Sequence, residues 1–199
     1  MKSFWDKWAS VYDSGQKQNK VYGKVVDFVA QMIDKNSSVI ELAGGTGEFS
    51  IAAAKNAGKV VCTDVSENML KIAKQKAKEQ KIDNISFENR NIYKIDEQDE
   101  SFDFVLAPQV LHLLDNPKLA ASELRRICKK RVILPQCLLK DIRGSIKLRV
   151  NIMRLFGFGD KIRLDLEGYK KFLTNIGFEN CEIIYFGNDM PMAVAVWNK

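Results

Sequence analysis

A doubly wound α/β fold is what this sequence predicts, on three observations. Apolar runs of strand length alternate with amphipathic helical patterns between residues 38 and 134. The first run passes through Gly44, Gly45, Thr46 and Gly47 directly into a helical pattern. The first two runs each end in an acid, Glu41 and Asp64. Strands alternating with helices imply right-handed crossovers and a parallel sheet. Two more strand patterns near the C-terminus bring the expected sheet to seven strands. It should be mainly parallel, with an antiparallel C-terminal hairpin strand and helices on both faces.

The N-terminal stretch 4–13 is dense in aromatics: Phe4, Trp5, Trp8 and Tyr12. It reads either as a helix packed on the domain or as a flap over a ligand mouth, with the Tyr12 hydroxyl offered to the ligand. A helix follows, with Val21, Val25, Phe28, Val29, Met32 and Ile33 on one face. Residues 1–34 together form an expected N-terminal helical flap. After the glycine-rich unit, Lys59, Val60, Val61, Cys62 and Thr63 make a second strand that ends at Asp64. Ser66 is placed to cap the next helix, whose inward face is Met69, Leu70, Ala73 and Ala77. Residues 84–88 read as a third strand ending near Asn91, and 102–107 as a fourth. A helix over 116–128 and a fifth strand over 131–134 come next.

Beyond Pro135 the pattern changes. Residues 141–156 are basic and amphipathic, and 141–160 read as an inserted helix on the substrate side. A helix over 164–176 stops at Gly177. Residues 181–186 and 192–197 flank Gly187, Asn188 and Asp189, the signal of a hairpin.

With 199 residues and 46% apolar content, one domain over 1–199 with a full core is expected. The net charge of +6 arises from 31 basic and 25 acidic residues spread widely, with no arginine-rich block, so nucleic acid is a weakly motivated partner. Cys62, Cys128, Cys137 and Cys181 form no CxxC pair, and a single histidine argues against a metal site. No signal peptide and no membrane-spanning run are visible, so a reducing cytoplasm is the expected location.

In such a sheet the ligand binds outside the carboxyl ends of the strands. Glu41, Asp64, Asn91 and residues 107–112 should therefore share one edge. Glycines let backbone approach a ligand, and N–H groups at the helix start favour negative charge. Glu41 brings the opposite sign, which suits a ligand carrying both carboxylate and ammonium better than a pyrophosphate. The dinucleotide fingerprint is also broken: its last glycine position falls on Ser50.

These motifs resemble those of class I S-adenosylmethionine-dependent methyltransferases. The matching residues are Glu41 to Gly47 in sequence, Asp64 with Met69, Asn91, and the run Phe102, Asp103, Phe104, Val105, Leu106, Ala107. The small-molecule branch, which includes ubiquinone and menaquinone biosynthesis enzymes, is the most similar; its start also resembles Trp5 to Asp13 here. The resemblance implies a Rossmann-like domain that binds S-adenosylmethionine and releases S-adenosylhomocysteine. It implies that Ala43, Gly44, Gly45 and Gly47 lie along the methionine part of the cofactor, with Glu41 neutralising its amino end. Asp64 would accept from the ribose hydroxyls, Val65 and Met69 would pack on adenine, Asn91 and Ile92 would meet its edge, and Ala107 would rim the methionine pocket. Four departures stand out: Glu41 for the commoner Asp, Ala43 for Gly, Asn91 for Asp, and no Pro-Gly-Gly turn at residues 127–131.

Methyl transfer from a sulfonium is an in-line displacement, so the protein mainly aligns the reactants. A base is needed only where the acceptor must lose a proton. His112 and Tyr12 are the catalytic candidates. Histidine titrates in the range a base requires, although a structural or merely cofactor-side place within Val110, Leu111, Leu113 and Leu114 is the favoured reading of His112. Ala107-Pro108-Gln109-Val110 lacks the Asn/Asp-Pro-Pro-aromatic tetrad of adenine amino-methylating enzymes. The expected acceptor is a small molecule. The alternatives are an RNA (tRNA) methyltransferase, a non-enzymatic binder of the cofactor, and an NAD-dependent oxidoreductase.

Overall fold

The structure, a computed structural model, describes residues 20–142, 162–187 and 190–199. Tyr12, the aromatic stretch 4–13 and the basic stretch 143–161 lie outside the described residues, and Asp141 and Ile142 form a bend rather than a helix start. Twelve elements are described: α1 (Lys20–Gln31), β1 (Ser38–Glu41), α2 (Glu48–Ala54), β2 (Lys59–Asp64), α3 (Glu67–Glu79), β3 (Ile85–Asn89), β4 (Phe102–Leu106), α4 (Pro117–Ile127), β5 (Cys128–Cys137), α5 (Leu166–Asn175), β6 (Glu182–Phe186) and β7 (Met192–Asn198), with a short 3₁₀ turn at Leu111–Leu113.

The strands form one seven-stranded sheet in the order β3-β2-β1-β4-β5-β7-β6. The first five strands pair in parallel, and β7 runs antiparallel to both of its neighbours. The expected doubly wound, mainly parallel sheet is therefore present. The hairpin is threaded so that the chain first forms the edge with β6 and then returns inward with β7.

Alternation along each strand builds two cores. Val39, Val60, Phe104, Leu106, Ile133 and Val194 face one side, where α1 and α2 cover them with Val25, Val29, Phe49 and Ala53. Ile40, Val61, Val105, Val132, Leu134 and Ala193 face the other, under Ala120, Leu124 and Ile127 of α4 and Tyr169 and Leu173 of α5. Each fully buried Val, Ile, Leu or Phe contributes about 1.5–3 kcal/mol, so both faces are needed for a stable sheet. The helix within the expected flap, α1, is thus a wall of the core.

Local chemistry accounts for the helix boundaries. Ser66 caps α3 by accepting from the Met69 N–H, Asn116 caps α4 through Leu119, and Asp165 caps α5 through Gly168. Gly177, at φ 93°, ends α5 in the left-handed conformation.

The fifth strand is longer than the expected 131–134. β5 runs on to Cys137, with Pro135 opposite Val194 in the antiparallel register. The Pro135 carbonyl accepts from the Gln109 N–H at 2.8 Å, on the side away from β7. A residue's N and C=O point the same way in a strand, so the missing N–H also faces that side, beyond the end of β4. No ladder bond is lost there.

Candidate functional site

The parallel registers align Glu41 with Cys62 and Leu106, and Asp64 with Asn89. The carboxyl ends of β1, β2, β3 and β4 therefore form one edge, carrying Glu41, Asp64, Asn91 and Ala107 as expected. The glycine-rich turn folds over it. Gly44 donates its N–H to the Thr63 carbonyl at 2.8 Å, and Gly47 donates to the Gly44 carbonyl at 2.9 Å. Ala43, Gly45 and Gly47 all have positive φ, at 54°, 55° and 78°. Only glycine takes that region without cost, so Ala43 is strained where glycine is the usual residue.

Asp64 joins the turn to the next loop. One carboxylate oxygen accepts the Gly45 N–H at 2.9 Å, and the other accepts the Ser66 N–H at 2.8 Å. Asn89, which the sequence reading passed over, holds the same loop by donating its amide to the carbonyls of Asp64 and Val65 at 3.1 and 3.0 Å.

Glu41 lies beneath the turn, only 1% exposed. Its Oε2 accepts the Ser50 N–H at 2.8 Å and also the Ser50 hydroxyl. Gly47, the N-cap of α2, has no side chain with which to cap it. Glu41 supplies that cap from the neighbouring strand, answering one of the orphan N–H groups. The helix start expected to attract an anionic ligand is, at Ser50, occupied by the protein's own carboxyl group. Burial pushes the Glu41 carboxyl up to about 8; the Ser50 bonds pull it down, and Asp64 and Glu48 push it up further. Burial also drives the neighbouring Cys62 thiol well above its ordinary range.

Two glycines in the turn face different surroundings. A Cβ on Gly44 would sit 2.8 Å from Cys62 Sγ and 3.0 Å from Glu41 Cδ. On Gly45 it would meet nothing within 4 Å. Gly44 seals the turn against the protein, and Gly45 borders open space beside Asp64.

Around this centre, Met69 is fully buried and Val65 half-buried at the start of α3. Asn91 is exposed, its Oδ1 accepting the Tyr93 N–H at 3.0 Å, and Ile92 is buried beside it. Ala107 is buried, its N–H bonded to the Ile133 carbonyl at 3.2 Å. His112 is buried within the 3₁₀ turn between Leu111 and Leu113, on the loop that follows Ala107. Gln109, at φ 52°, is a second strained residue on this edge. Among the described residues no group of His, Cys, Asp and Glu could hold a metal ion.

Ser50 is the residue that sequence reasoning missed most. It counted there only as a mismatch in a dinucleotide fingerprint. The usable signal was its place three residues past Gly47, where an N–H needs a cap and an acid ends the preceding strand.

A family described as a methyltransferase domain matches residues 33–146, more than half of the chain. Demethylmenaquinone methyltransferase of Geobacillus stearothermophilus is 30% identical over 100 residues, which is 49% of this chain and 43% of the relative. The same enzyme of Lactiplantibacillus plantarum is 34% identical over 98 residues, 47% of this chain and 41% of the relative. This chain thus matches less than half the length of these curated relatives. Among solved structures, an S-adenosylmethionine-dependent methyltransferase of Thermotoga maritima superposes over 100% of both chains with TM-score 0.73 and 17% identity. Magnesium protoporphyrin IX methyltransferase of Synechocystis, with bound S-adenosylhomocysteine, covers 90% of this chain and 84% of its own with TM-score 0.66 and 19% identity. These structures share the fold.

Proposed function

The chain belongs to the methyltransferase-domain family, and from that premise we propose that it moves a methyl group from S-adenosylmethionine to a small-molecule acceptor. One observation carries the reading: Gly45 borders open space while its N–H is held by the carboxylate of Asp64. Asp64 accepts the Gly45 and Ser66 N–H groups, one on each carboxylate oxygen, which fixes the acid at the end of β2 beside that open space. An acceptor held there suits the hydroxyls of a ribose. The residues present fit the cofactor.

When bound, S-adenosylmethionine supplies a methyl carbon activated by its sulfonium. The chain's own residues position and shield. Asp64 receives the ribose, Val65 and Met69 wall the adenine, and Asn91 and Ile92 meet its edge. Ala43, Gly44, Gly45 and Gly47 border the methionine part, with Ala107 at its rim. Glu41 lies beneath Gly44 and balances the amino end in its ionised form, which a nearby ammonium favours. His112 packs the loop after β4 and serves structure.

The curated relatives methylate demethylmenaquinone, a small molecule, which supports that acceptor class here. All four cysteines are unpaired thiols, which supports a reducing cytoplasm. Among the described residues no helix is long and apolar enough to cross a membrane. The test is methyl transfer from labelled cofactor to a panel of phenols, quinols, amines and thiols, with tRNA as a parallel acceptor. Labelling of a small acceptor is expected; labelling of tRNA alone would overturn the acceptor class.

A further inference from the structure

We propose that Tyr93 is a positioning residue that fixes the turn after β3 relative to the loop after β4, setting the adenine-side and acceptor-side walls of the pocket together. The inference rests on the reading of that pocket as an S-adenosylmethionine site.

The Tyr93 N–H donates to Asn91 Oδ1 at 3.0 Å and closes the turn that carries Asn91 and Ile92. Its ring packs against the core cluster that contains Ile92, Leu111 and Leu114. Its hydroxyl oxygen accepts two backbone N–H groups, from Asp115 at 3.1 Å and Asn116 at 3.2 Å. Asn116 is the N-cap of α4 and accepts the Leu119 N–H at 3.1 Å. The loop from Ala107 to this cap is thus held by β4 at one end and by the Tyr93 hydroxyl at the other.

The turn is held firmly from its far side. Arg126 donates to the Ile95 carbonyl at 2.8 Å and to the Glu97 carbonyl at 2.6 Å. Glu123 accepts the Ile95 N–H at 3.0 Å. With both flanks fixed, movement of Asn91 toward a bound adenine is passed to Asp115 and Asn116 through one rigid ring. Phenylalanine would preserve the ring packing and remove only the acceptor.

The experiment is amide hydrogen exchange of the full chain, with and without S-adenosylhomocysteine, on the wild type and Tyr93→Phe. In the wild type the ligand should slow exchange at Asp115 and Asn116 as well as at Gly45. In Tyr93→Phe those two amides should exchange about tenfold faster in the free protein, as loss of a backbone acceptor implies. The ligand should then slow Gly45 alone, and its affinity should fall by about three- to tenfold. Ligand binding to the wild type without slowing at Asp115 and Asn116 overturns the proposal while leaving the pocket reading intact, and needs no variant. Wild-type affinity in Tyr93→Phe also overturns it. No binding of S-adenosylhomocysteine to the wild type overturns both.

Discussion

Ser50 donates twice to Glu41: its backbone N–H and its hydroxyl both end on the same carboxyl oxygen. Both residues are buried, at 0% and 1% exposure, so neither bond competes with water. Ser50→Ala removes the hydroxyl and keeps the backbone bond. Stability at pH 7 should fall by about 1 kcal/mol, rising to about 2 kcal/mol above pH 9, where the acceptor is a full carboxylate. Urea unfolding at both pH values checks this; an equal loss at the two would mean that the charge of Glu41 plays no part.

Glu41 also makes stability depend on pH. Its carboxyl is raised from 4.5 to about 8, first by burial. Between these values the folded chain keeps a proton that the unfolded chain has released. Stability from this group is therefore greatest below 4.5 and is lost as pH rises to about 8, by up to ~1.4 kcal/mol per pH unit. Glu41→Gln should flatten the slope and unfold at higher urea than the wild type at pH 8. Urea midpoints at pH 5, 6.5 and 8 read it. An unchanged slope in the variant counts against Glu41 as the source.

Gly44 and Gly45 separate folding from binding. Gly44→Ala pushes a methyl into Cys62 and Glu41 and should cost about 1–3 kcal/mol of stability. Gly45→Ala points into open space and should cost only the ~1–2 kcal/mol of a left-handed alanine while weakening cofactor binding. Thermal melts beside calorimetric titration distinguish the two. Stronger impairment of binding by the Gly44 variant at equal folded fraction would reverse the assignment.

His112 sits in an apolar turn, buried with Leu111 and Leu113. His112→Gln should lower kcat by less than about tenfold and keep the acidic limb of the pH–rate profile. A loss of about 10²–10⁴-fold together with that limb would make it the general base.

The strand alternation and the acids at the strand ends made the sheet and its working edge legible, because side chains with period two sort themselves between two cores. The caps at Ser66 and the stop at Gly177 were legible for the same local reason. What was not legible depended on a partner far away in sequence. Ser50 acquires its role only when β1 brings Glu41 beneath α2. The fifth strand runs past 134 through Pro135 because β4 has already finished beside it. The third strand is displaced by one residue from its expected start, at Ile85. Asp64→Lys would strip the Gly45 and Ser66 N–H groups of their acceptor and bury an ammonium, so it would disturb the fold together with binding.

Asp64→Asn is the gentler change, since the amide keeps one acceptor oxygen and the size of the side chain. Titration calorimetry of the wild type and this variant with S-adenosylhomocysteine and NADH reads the pocket directly. The wild type should bind S-adenosylhomocysteine and not NADH, and the variant should bind it about ten- to a hundredfold more weakly while remaining folded. Binding of NADH alone, or equal S-adenosylhomocysteine affinity in the two proteins, would contradict the assignment of Asp64 and the pocket built around it.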